Sequence, residues 1–278
     1  MNTKQIIVIV VVVALMGGLL ARPIKGLVDA NPGTTESGSA ESSSAYNLRS
    51  VSDITKQSIH ASLAQEITAL EEKMVQANGD DERLALLEQL AQKWDDVAKF
   101  APQGFIYEEM AEISPKFEYW LKAGDAYRTA YTNLQDTAMS AELNRLAIRS
   151  YEKATQLDEN NLDAKTGLGA AMVTGTGNPM AGIALLQEVV AKDPKNIQAN
   201  KTLGLFSLQS RQFDKAIERF NTVVELSPDA ESYFYLATGY ENIGLKNEAI
   251  AAFQKSKELA SDPTLSQFID RRVEELSK

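Results

Sequence analysis

The chain has no cysteine, which excludes disulfides, thiolate metal sites, a cysteine nucleophile and a lipid-modified N-terminal cysteine. Histidine is nearly absent too: His60 stands alone, so neither a metal cluster nor a Ser-His-Asp arrangement is expected, and it reads as a solvated surface residue. Basic residues are in deficit, 28 Lys and Arg against 38 Asp and Glu, for a net charge of -10. Phosphate backbones are held by clustered cations, so no nucleic-acid partner is expected. The stretch Gly175-Thr176-Gly177-Asn178-Pro179 lacks the Lys-Ser/Thr pair and the preceding strand of a phosphate-cradling loop, and it reads as a lengthened turn. The pairs Glu109/Glu112 and Glu274/Glu275 fall on solvated helix faces, with nothing to push their pKa values apart. No catalytic set, metal site or cofactor site emerges, and the chain is not expected to be an enzyme.

What is present is repetition. Between Ile197 and Pro228, Leu203, Gly204 and Ser207 mark one amphipathic helix, and Ala216, Phe220 and Val223, spaced four and three, share a face of a second. Downstream, Tyr233, Leu236, Ala237, Tyr240, Gly244, Ala249, Phe253 and Leu259 copy the frame. Upstream, Ala164, Leu168, Gly169 and Met172 lead to Gly182, Leu186, Val189 and Asp193-Pro194. An earlier copy opens at Trp120, Gly124 and Tyr127 and closes with Ala147, Tyr151, Ala154 and Leu157; extra residues between its helices predict that both are lengthened. The first copy, from Leu84 through Leu87, Leu90, Ala91 and Trp94 to Pro115, is degenerate, its second helix expected to be interrupted by Pro102 and Gly104.

This pattern resembles the tetratricopeptide repeat, a helix pair of about 34 residues. The resemblance implies an all-α solenoid of about five pairs: residues 84–116, 117–161, 162–196, 197–229 and 230–262. Such units bury their apolar faces only by stacking, and the last needs a polar outer face. After Asp262-Pro263 a helix over 263–278 supplies it, with Leu265, Phe268, Ile269, Val273 and Leu276 on one face and Asp270, Arg271, Glu274 and Glu275 on the other.

The N-terminal part reads differently. Residues 1–5 are polar, and 6–25 hold the apolar run Ile6 to Ala21 followed by Arg22-Pro23 and Lys25. That is short for a spanning helix of roughly 17 to 25 residues, yet Leu19 is bulky where a signal-peptide cut expects a small residue. The expectation is an uncleaved single-pass anchor, with the soluble part periplasmic or otherwise extracytoplasmic. Residues 26–50, rich in Gly, Ser and Thr, read as a flexible linker. Residues 51–78 read as one helix, Leu63, Ile67, Leu70, Met74 and Ala77 giving a short heptad seam. It either caps the first repeat or pairs two copies in a homodimer.

The resemblance also implies where function lies. First helices line the concave side, and the phasing places Asp163, Thr166, Ala170, Val173, Lys201, Thr202, Leu205, Leu208, Gln209, Phe234, Tyr235, Thr238, Glu241 and Asn242 there. Phe234 and Tyr235, lying between the frame positions Tyr233 and Leu236, are the expected recognition anchors. The Lys/Asn/Arg clamp of chaperone-binding relatives is missing, since its positions hold Thr166, Ala170 and Thr202 with only Lys201 basic. The function expected is a membrane-tethered, non-enzymatic scaffold that takes a protein or peptide segment in this groove. The alternatives are a cell-envelope assembly factor resembling the repeat subunits of cytochrome c maturation, and a structural homo-oligomer formed through residues 59–77.

The frame itself is testable. Ala216→Leu overpacks a helix crossing and should cost about 1 to 3 kcal/mol; a thermal midpoint equal to that of the unaltered chain would refute the phasing.

Overall fold

A computed structural model describes residues 46–278 except 133, 176 and 177. The chain divides into units Met1–Ser43 and Ser44–Lys278, and the described residues belong to the second. The expected anchor at 6–25 lies outside them. Among the described residues no helix is long and apolar enough to cross a membrane.

Those residues form thirteen helices and no strand. Four precede the lengthened pair: α1 (Leu48–Lys56), α2 (Ala61–Gln76), α3 (Asp80–Asp95) and α4 (Phe100–Ile113). Then come α5 (Phe117–Thr132), α6 (Thr137–Leu157), α7 (Leu162–Thr174), α8 (Pro179–Lys192), α9 (Ile197–Gln209), α10 (Phe213–Leu226), α11 (Ala230–Asn242), α12 (Lys246–Leu259) and α13 (Pro263–Leu276). From α2 onward each packs on the next, while α5, α7, α9 and α11 also touch one another in turn. These first helices therefore form one continuous layer.

Side-chain caps set the phase of that layer. Asn161, Asn196, Asp229 and Asp262 each accept a first-turn backbone N–H, starting α7, α9, α11 and α13. An Asx side chain here satisfies donors that a helix leaves unpaired. Pro179 and Pro263 occupy the first turns of α8 and α13, where no N–H is needed.

Three expectations are corrected. Two helices stand where periodicity predicts one over residues 51–78, because the chain breaks at Gln57–His60 without a Gly or Pro to announce it. His60 is the cap of α2, its Nδ1 accepting the Ser62 N–H at 3.3 Å. The linker expected over 26–50 ends early: Asn47 and Ser50 form a reciprocal capping box that starts α1 at Leu48. Finally, α4 is continuous through Pro102 and Gly104. Pro102 sits in the first turn, where the missing donor costs nothing, and Gly104 is bare because the Tyr127 ring lies where its Cβ would be.

The α2 seam is consumed inside the subunit. Ile67, Leu70 and Met74 are buried against Leu86, Leu90, Trp94 and Met110. A dimer would need some other surface.

Rings against bare glycines recur at the crossings. Tyr151 is fully buried with Gly124 on one helix and Gly167 on another, each too close to its ring for a methyl group. Phe220 lies against Gly204 in the same way. At a solvated mid-helix site, Gly→Ala gains about 0.5 to 1 kcal/mol of helix propensity. Gly167→Ala should instead lose about 1 to 3 kcal/mol as the ring is displaced. Urea unfolding decides it, and a raised midpoint would show that the Tyr151 ring does not depend on the bare backbone.

Candidate functional site

The exposed side of the inner layer is built by α7, α9 and α11. Each carries half-open apolar side chains: Val173 of α7, which packs on Gly182 of α8, Leu205 and Leu208 of α9, and Phe234 of α11. Gln209 and Asn242 are exposed at the helix ends, and Thr238 is half-buried with its hydroxyl donating to the Phe234 carbonyl at 2.9 Å. Thr202 is different. It is 5% exposed, as Thr166 and Ala170 are at 4% and 3%, so these three are buried and do not line an open surface.

Phe234 and Tyr235 prove to be tied to the frame that the sequence seemed to leave without them. The Phe234 ring meets Phe253 at 5.6 Å and Phe268 of the last helix at 5.8 Å, and Tyr235 lies 5.4 Å from the buried Phe220. Both are half-buried, so each offers an edge while its body packs. The Tyr235 hydroxyl donates to Glu231 Oε1 at 3.2 Å. Burial first, and then the Glu231 charge, pushes its pKa up.

Lys201, the single basic residue among the predicted positions on α9, is ion-paired with Asp229 at 3.0 Å and lies 3.8 Å from Glu231. Glu241 pairs with Arg272 of α13, which also holds Glu275 at 2.5 Å. The last helix is thereby locked to α11 by an ion pair as well as by the Phe234–Phe268 contact.

The same layer extends to α5, a part of the surface that the sequence reading omitted. Asp125 accepts the Tyr151 hydroxyl at 2.7 Å, and Arg128 Nε donates to that hydroxyl at 3.2 Å. Asp125 is exposed, yet nearby protein reduces its hydration. Burial pushes its carboxyl up, Tyr151 and Arg128 pull it down, and Asp163 of α7 adds to the rise. The signal was available: Asp125 follows Gly124 as Leu205 follows Gly204. Among the described residues no group of three or more His, Asp or Glu side chains could hold a metal ion.

The Asp229 charge can be tested separately from its cap. Burial raises this carboxyl, but the Ser232 N–H, the Lys201 ammonium and the Ser232 hydroxyl outweigh it and hold the pKa below the ordinary 3.8. A lowered carboxylate stabilises the fold above its unfolded value and loses that contribution as pH falls through the folded one. Asp229→Asn, which keeps a capping side chain, should thus be less stable than the parent at neutral pH. The gap should close below 3.8. A gap of constant size in urea titrations across that range would assign the effect to the cap and not to the charge.

Models of the tetratricopeptide repeat match residues 174–238 and 230–263. A comparison with curated proteins found no match. Among solved structures, one of MamA is 26% identical, with 64% of this chain and 92% of that one covered at a TM-score of 0.48. A second MamA structure is 27% identical, covering 61% and 93% at 0.47. YrrB, described as a TPR protein with an unusual peptide-binding site, is 18% identical, covering 73% and 98% at 0.48. Residues 174–263 thus match the tetratricopeptide repeat, and the described residues form helices and no strand.

Proposed function

We propose that residues 162–259 take a segment of another protein along the inner layer, and that the apolar run at 6–25 tethers this scaffold to a membrane on its extracytoplasmic side. One observation carries the binding reading: the apolar residues Leu205 and Leu208 of α9 and Phe234 of α11 stay half-open on two successive first helices. Stacking alone would bury such side chains, at about 25 cal/mol per Å² of apolar surface removed from water. A line of them left partly in solvent suits an amphipathic helix or an extended stretch. Because Phe234 and Tyr235 also pack inward, truncating them would confuse binding with stability.

Thr238 is the better probe. Its hydroxyl donates to the Phe234 carbonyl of its own helix, so its replacement breaks no hydrogen bond between helices. Thr238→Arg in the full-length chain should cut the yield of crosslinked partner in native membranes by roughly tenfold or more, the equivalent of about 1.4 kcal/mol. The thermal melt should stay near that of the parent. Equal capture by the two proteins, with partners identified by mass spectrometry, would remove the groove from consideration.

A further inference from the structure

Two cations at the inner layer are each shared by two carboxylates. Lys201 lies between Asp229 and Glu231, and Arg272 between Glu241 and Glu275. Arg128 acts on Asp125, which also feels Asp163. The Lys201 and Arg272 clusters therefore each keep one negative charge that their cation does not neutralise.

Two of the acids, Asp163 and Glu231, stand in the first turns of α7 and α11. A helix N-terminus carries about half a positive charge, which explains their place without cancelling them. Glu231 reaches back across the layer towards Lys201 of α9, and Asp163 lies near enough to Asp125 of α5 for their charges to repel. They form an acidic edge beside the apolar line of Leu205, Leu208 and Phe234.

We infer that the segment bound in this groove is a cationic amphipathic stretch, its apolar side on Leu205, Leu208 and Phe234 and its lysine or arginine side chains along Asp125, Asp163 and Glu231. An acidic segment would meet Lys201 and Arg272 each already engaged by two carboxylates. The inference rests on the groove reading above and adds the partner's chemistry to it.

The test uses the full-length chain in mild detergent and two labelled amphipathic peptides with identical apolar faces, one bearing lysine and the other glutamate on the polar face. Fluorescence anisotropy at low ionic strength should show the lysine peptide binding about tenfold tighter or more, with the advantage shrinking towards 1 M salt, where screening acts within about 3 Å. The double variant Asp163→Asn/Glu231→Gln should lower lysine-peptide affinity about three- to tenfold. A control with the same change of net charge on exposed acids of a second helix, Glu218→Gln/Glu225→Gln, should leave it unchanged. Circular dichroism melts of both variants guard against loss of fold. Equal or tighter binding of the glutamate peptide overturns the inference, and so does a control that weakens binding as much as the edge variant. Failure of both peptides at every salt concentration would count against the groove reading itself.

Discussion

Close approach between successive helices is the constraint on which the solenoid depends. Aromatic rings of one helix lie directly on the bare backbone of a neighbour: Tyr127 on Gly104, Tyr151 on Gly124 and Gly167, Phe220 on Gly204. Each mid-helix glycine costs about 0.5 to 1 kcal/mol against alanine. Burial of the ring that it admits contributes about 1.5 to 3 kcal/mol, so the exchange favours the crossing. The glycines are therefore determinants of spacing and not weak points. Once spacing is fixed, polar tethers fix register. Buried Asn144 donates to the Ala171 carbonyl at 3.0 Å, Ser256 to Ala230 at 2.6 Å, and Tyr131 meets Thr174 at 3.0 Å.

Where a ring carries a hydroxyl, packing brings a polar obligation with it. Tyr127 donates to Glu108 at 2.5 Å, and Glu108 is in turn paired with Arg149. Tyr151 donates to Asp125. Burial holds both phenols well above their ordinary pKa, so they remain neutral donors. A buried hydroxyl without an acceptor would be penalised. The acid on α5 is thus required by the core, and its position at the open side follows from where the Tyr151 ring must lie.

Much of this was legible in advance because a repeat states the same message several times. The Leu-Gly and Ala-Phe frame from Ala147 to Leu259 located helix pairs and buried positions such as Ala216, Phe220, Ala249 and Phe253. Single-copy features were not so marked. The break at Gln57–His60 is made by a histidine cap, and spacing of apolar residues carries no trace of it. The continuity of α4 through Pro102 depends on a two-residue offset from its start, which composition does not give. Phe234 looked spare by phase, yet aromatic rings reach beyond their own frame position and found Phe253 and Phe268. Ion pairs were the least legible, since Lys201, Asp229 and Arg272 meet only after the helices stack.

Capping and the proposed recognition surface share residues in this layer, which limits how freely that surface can change. Asp229 accepts the Ser232 N–H at 2.8 Å to start α11 and holds the Lys201 ammonium with its other oxygen. Glu231 supplies the first-turn acid of that helix and also the exposed charge at the groove edge. Reversing the sign of the edge by substitution at these positions would place cations at helix N-termini, where the dipole opposes them by about 0.3 to 1 kcal/mol each. The first helices can thus carry acids at this edge at no cost to folding and bases only at a penalty. A negative edge is the arrangement in which helix stability and the charge required by the proposed partner agree.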